Sequence, residues 1–97
     1  MSLTSKQVSQ LKKEAHHLDP IFQIGKNGIN DNFITQVDEA LNKRELIKIS
    51  ILQNAADDKK SLAETIESKT NSHIVTIIGN TIIVYRESKE HKRIELV

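Results

Sequence analysis

Apolar positions along the chain follow two alternating rhythms. Val8, Leu11, Ala15 and Leu18 recur at spacings of three and four, which places them on one stripe of a helix. Thr4 stands where that helix would begin. Gln7, three residues on, completes a capping box, and Leu3 can staple onto Val8. Lys6, Gln10, Lys13 and His17 fall on another face, and Asp19-Pro20 ends the helix because a residue before proline avoids helical angles. Pro20 to Ile24 reads as a short buried strand. Ile29 to Leu41 returns to helical spacing, with Phe33, Ile34, Val37, Ala40 and Leu41 inward. Asn30 or Asp31 can cap this second helix, and Lys43-Arg44 suits the negative end of its dipole.

Leu46 to Leu52 switches to strict alternation. Ile47, Ile49 and Ile51 share one face while Lys48 and Ser50 mark an exposed face or edge, so a half-buried strand is predicted. Gln53 to Asp58 is a polar loop. Asp57 or Asp58 caps a third helix whose inner side is Leu62, Ala63 and Ile66. Lys59-Lys60 in its first turn opposes the dipole, which suggests another use for them. Ile74 to Ile78 and Thr81 to Tyr85 are β-branched runs around Gly79-Asn80, a hairpin signal. Charge dominates from Arg86 to Arg93, after which Ile94, Leu96 and Val97 are placed to add an edge strand. The order α-β-α-β-α-β-β, without repeat or linker, predicts one α+β domain over residues 1–97. Its expected form is two-layer, with helices packed on a four-stranded mixed sheet.

Composition narrows the class. With 37% hydrophobic and 28% charged residues the chain suits a soluble globular domain, and the absence of cysteine excludes disulfides and thiolate zinc sites. Polar Thr4 to Gln7 follow Met1 where a leader would be apolar, and the apolar stretch Ile74 to Tyr85 is too short to span a bilayer, so a cytoplasmic location is expected. Net charge is only +1, yet four lysines face two acids within residues 1–30, so the positive excess gathers there.

That excess surrounds Gly25-Lys26-Asn27-Gly28. A G-x-x-G turn between a strand and a helix start can present backbone N–H groups and a lysine to an anion, and glycine lets the backbone approach closely. The spacing is neither Walker A nor G-x-G-x-x-G; the nearest mechanical analogue is the KH-type loop, which clamps a nucleic-acid backbone. A strand-to-helix turn with a solubilising lysine would look the same. His16-His17 with Asp19 is read as a solvated helix end, because metal sites need three or four convergent ligands. Phe22, Phe33 and Tyr85 are the only aromatics, too few for a stacking platform, so RNA contact should run through phosphate and shape. No catalytic set, cofactor motif or metal set is found, and an enzyme is not expected.

Leu3 to Gln7, Leu11 to His16, Pro20 to Gly28, Glu45 to Ile49 and Ile78 to Arg86, taken in order, resemble the bacterial YhbY family. That family is the stand-alone form of the CRM (chloroplast RNA splicing and ribosome maturation) domain. The resemblance implies a fold similar to the C-terminal domain of translation initiation factor three. It also implies RNA binding, with bacterial members associated with large-ribosomal-subunit precursors. By position, Gly25, Lys26 and Gly28 fall in the family's loop. Its third place, often glycine, is Asn27, which tolerates left-handed angles, so the turn is expected to survive. The expected RNA-binding set is Gly25, Lys26, Asn27, Gly28, Lys6, Lys12, Lys13, Lys48 and Arg86 on a monomer. The alternatives are a protein-interaction module docking on a ribosomal protein or assembly factor, and a small phosphorylated metabolite held by the turn.

Overall fold

The computed structural model, which describes residues 2–97, runs α1 (Ser5–Ala15), β1 (Phe22–Ile24), α2 (Asp31–Arg44), β2 (Leu46–Ile51), α3 (Lys59–Thr70), β3 (His73–Ile78) and β4 (Thr81–Tyr85). The capping box forms as expected: Thr4 Oγ1 accepts from Gln7 N (3.1 Å) and Gln7 Oε1 from Thr4 N (3.0 Å). Asn30 caps α2 and Asp58 caps α3, so α2 begins two residues beyond the expected Ile29 and runs on to Arg44. Gly79 has φ +58° and Asn80 does not, which fits a type II′ hairpin with glycine at its first central position.

The strands form one sheet in the order β1-β2-β4-β3, with β1 parallel to β2 and the remaining pairs antiparallel. Three helices and a four-stranded mixed α+β sheet are therefore as expected. The two-layer stacking is corrected. α2 and α3 cover one face through Val37, Leu41, Leu62, Ala63 and Ile66 against Ile24, Ile47, Ile49, Ile51, Ile82 and Val84. On the other face α1 brings Leu11 and Ala15 to Leu46, Val75, Ile83, Tyr85 and Ile94. Both sides of β4 are buried, and Ile82-Ile83-Val84-Tyr85 is the unbroken apolar run that such a position requires.

Residues 94–97 form no edge strand. Ile94 packs under α1, and side chains take the place of a ladder: Gln10 Nε2 donates to Glu95 O (2.7 Å), Gln10 Oε1 accepts from Val97 N (2.9 Å), and Gln7 Nε2 donates to Val97 O (3.1 Å).

One end of the sheet is closed by Glu45. This residue is fully buried and sits at the C-cap of α2 with φ +64°, a left-handed conformation that costs a non-glycine residue on the order of 1–2 kcal/mol. Its carboxylate accepts from Ser88 N (2.8 Å), Arg93 N (2.5 Å) and Ile94 N (2.9 Å). Burial acts to raise this carboxyl, yet the three N–H donors and nearby Lys92 bring it below its ordinary value. The last carbonyls of α2 are met by the same segment, Asn42 O by Ser88 Oγ (2.6 Å) and Lys43 O by Arg93 Nε (2.9 Å). Beside it, burial pushes the Tyr85 phenol up to about 12, with Glu45 and Glu87 adding to the shift.

Candidate nucleic-acid interface

β1 and β2 run parallel, so the segments that follow them, residues 25–30 and 52–58, emerge at the same end. The β3–β4 hairpin joins them there, since Ile51 N donates to Asn80 O (2.6 Å) and Leu52 N to Ile24 O (2.9 Å). In sheets of this kind ligands sit outside the carboxyl ends of parallel strands. Lys59 has its other use here: its Nζ donates to Gly79 O (2.7 Å), tying the start of α3 to the hairpin.

Gly25 to Gly28 form a turn closed by Gly28 N donating to Gly25 O (3.0 Å). Gly28 alone takes the left-handed conformation, at φ +66°, so Asn27 is not asked to adopt it and glycine is not required at that third place. A Cβ on Gly25 would meet Asn54 Oδ1 and Leu52 Cδ1 at 3.6 Å, ordinary contact, so packing does not require glycine there. The turn opens onto a polar cleft of about 260 Å³ whose walls carry the carboxamides of Gln23, Asn27, Asn30, Asn32 and Gln36. Amides both donate and accept, which suits phosphate and ribose oxygens together.

The positive charge of this cleft rests on Lys26. The α2 N-terminus contributes less than a bare helix end would, because Asn30 Oδ1 already accepts from Phe33 N (2.8 Å) and Asp31 occupies the first turn. Asp57 Oδ2 lies 3.8 Å from where a Gly28 Cβ would stand. The Asp57 carboxylate would repel an anion there, and the Lys26 ammonium would attract one.

The remaining expected residues separate into three groups. Lys12 and Lys48 converge with His16 on a cleft between α1 and the sheet. Lys48 stands on central strand β2, paired with Ile83 of β4, and points to the α1 face rather than to an edge. Lys6 and Lys13 lie exposed on the stripe of α1 that carries Gln10, where the 95–97 segment runs alongside, and they line neither cleft. Arg86 is a correction. It lies at the opposite end of the sheet with its guanidinium consumed: Nη1 donates to Asp38 Oδ1 (2.6 Å) and Thr70 O (2.7 Å), and Nη2 to Asp38 O and Asn42 Oδ1 (both 2.9 Å). It joins α2, the end of α3 and β4, and has no donors left for RNA on those nitrogens.

Residue-by-residue reading passed over the carboxamides and left His16 out of the expected set. Gln23 carried a signal, as the polar member of the alternating Phe22-Gln23-Ile24; His16 carried one too, one turn beyond Lys12. Among the described residues no helix is long and apolar enough to cross a membrane.

The model of the CRS1 / YhbY (CRM) domain family matches residues 3–86. A Bacillus subtilis protein named "Probable RNA-binding protein YqeI" is 56% identical over 94 residues, covering 97% of this chain and 98% of that protein. A Haemophilus influenzae protein named "RNA-binding protein" is 34% identical over 91 residues, covering 94% and 92%. Among solved structures, a Staphylococcus aureus protein determined in solution superposes with a TM-score of 0.82 at 58% identity, covering 98% of this chain and 99% of that one.

Proposed function

The chain belongs to the CRS1 / YhbY (CRM) domain family, and from that membership we propose that it binds RNA, as its relatives' names state of them, without catalysing a reaction. The observation that carries the reading is the Gly25–Gly28 turn, set at the carboxyl end of the parallel pair and opening onto a carboxamide-lined cleft with Lys26 as its cation. Gly25, Lys26, Asn27 and Gly28 hold a backbone phosphate. Lys12 and Lys48 extend the track across the α1 face of the sheet, and Lys6 and Lys13 add diffuse attraction from the outer face of α1. Contact of this kind is driven by counterion release and by shape.

The RNA is rRNA of large-ribosomal-subunit precursors, held by a monomer in the cytoplasm during assembly. The test is sedimentation of the tagged protein from lysate at low and high salt, with and without RNase. Co-migration with large-subunit precursors that is lost on salt or RNase treatment is the expected result. A protein that stays at the top of the gradient under every condition would sink the ribosomal role. Co-migration that resists both treatments would point instead to docking on a protein. In direct binding to an RNA oligonucleotide, Lys26→Ala should weaken affinity and flatten the salt dependence by about one unit of log–log slope. An unchanged slope would remove Lys26 from the site.

A further inference from the structure

α1 covers only half of its face of the sheet. Its contacts gather over Leu46, Tyr85, Ile83 and Val75. Toward the hairpin the row Gln23–Ser50–Thr81–Ile78, one residue from each strand and side by side in register, lies open, with Gln23 and Ile78 exposed and Ser50 and Thr81 half-buried. Gln23 also lines the Gly25–Gly28 cleft, while Thr81 and Ile78 line the cleft of Lys12, His16 and Lys48. The row is thus a continuous floor between the two clefts.

The second cleft has about 380 Å³ of space, within the range of small-ligand sites. Two kinds of group line it. Lys12 and His16 from one side of α1 meet Lys48 from the middle of the sheet, and neither lysine takes part in an ion pair among the described residues. The lining also includes aliphatic side chains left in water, Leu18 at 36% and Ile78 at 55% exposure, together with buried Ile83. Asp19 is the one carboxylate among the lining residues. Cations and exposed aliphatic side chains lining one cleft match a ligand with an anionic end and an apolar face.

Resting on the RNA reading above, we propose that this cleft receives one unpaired nucleotide of the strand whose backbone is held at Gly25–Gly28. Its phosphate lies against Lys12 and Lys48, and its base lies against Leu18 and Ile78. A base within a duplex has both faces stacked and cannot reach the wall, so the cleft selects single-stranded RNA over duplex. With an aliphatic rather than aromatic wall and no base-edge reader on it, the selection is for an unpaired base and not for its identity.

The test measures binding of a labelled single-stranded RNA and of its own duplex by anisotropy, for the wild type, Ile78→Thr, Leu18→Gln and Lys26→Ala. Ile78 is on the surface and threonine keeps the β-branch, so the variant should fold, which circular dichroism checks. Ile78→Thr and Leu18→Gln should lose about 3- to 10-fold on the single strand and remain unchanged on the duplex. Unchanged single-strand affinity, or an equal loss on both forms, would overturn the nucleotide pocket. Lys26→Ala separates the two readings. Weakening by Lys26→Ala without any effect of Ile78→Thr removes only the pocket; no binding of either RNA by the wild type removes the RNA reading with it.

Discussion

The two ends of the sheet handle polar groups in opposite ways. At the Glu45 end a buried carboxylate, a guanidinium, Ser88 and the last carbonyls of α2 are matched with partners, most of them 43 to 50 positions away. At the Gly25–Gly28 end carboxamides and Lys26 line open space, and beyond the ties of Ile51 to Asn80, Leu52 to Ile24 and Lys59 to Gly79 the bonds formed are local ones of turns and caps. Positive charge alone therefore does not mark the proposed site. Arg86 is the most heavily bonded cation of the fold and serves structure, whereas Lys26 takes part in neither ion pair found among the described residues and faces the proposed ligand. A cation's availability, judged by what its donors already do, is the better guide.

Breaking the Glu45 end should have the largest effect. Glu45→Ala orphans three backbone donors, two of them in buried bonds, while keeping the unfavourable φ, and roughly 3–5 kcal/mol of stability should be lost, measured by urea unfolding. The carboxyl is depressed in the fold, so its ionisation stabilises above the ordinary 4.5 and that contribution fades as pH falls through the lower native value. The gap in stability between wild type and Glu45→Gln, which cannot titrate, should accordingly be constant above about pH 5.5 and narrow in acid. A gap that widened in acid would contradict the hydrogen-bond account.

Arg86→Met should cost somewhat less, about 2–3 kcal/mol, because the Asp38 carboxylate it leaves behind is half exposed and can hydrate. RNA affinity, compared at a temperature where both proteins are folded, should not change. Affinity lost in proportion to one phosphate contact would return Arg86 to the interface.

The smallest effects on stability belong to the glycine turn, and they sharpen the contrast. Gly28→Ala must hold φ +66° and should destabilise by about 1 kcal/mol. Gly25→Ala has neither strain nor a close neighbour and should unfold like the wild type. If the backbone approaches phosphate at Gly25, the same methyl should nonetheless weaken RNA binding, so stability and affinity would separate at a single atom. Full affinity in Gly25→Ala would leave Lys26 as the turn's one contribution.

What the sequence disclosed follows how local each determinant is. The Thr4–Gln7 box, the α3 cap read at Asp57 or Asp58 and found at Asp58, and the alternation read over Leu46 to Leu52 and found as strand over Leu46–Ile51 are set within a few residues. The layering was legible in part: Ile82 to Tyr85 has no polar face, which demands cover on both sides, but nothing nearby says that α1 provides it. The role of Arg86 was not legible, since its partners come from Asp38, Asn42 and Thr70, 16 to 48 positions away. Glu45 hid for the same reason, as a glutamate at a helix end reads as an ordinary solvated charge. The segment after Arg93 was read by its alternation, yet glutamine side chains of α1 and the Glu45 carboxylate bond its backbone instead of a neighbouring strand.

The bonds of Glu45 also order events in time. α2 is fully encoded by Arg44, but its final carbonyls and the carboxylate that follows acquire partners only from residues 88 to 94. In synthesis from the N-terminus that end of the helix lacks these partners until residues 88 to 94 have been made. Closing it spans nearly half the sequence, a contact separation that slows the search for the native state. The residues that close this end of α2 thus follow every strand of the sheet.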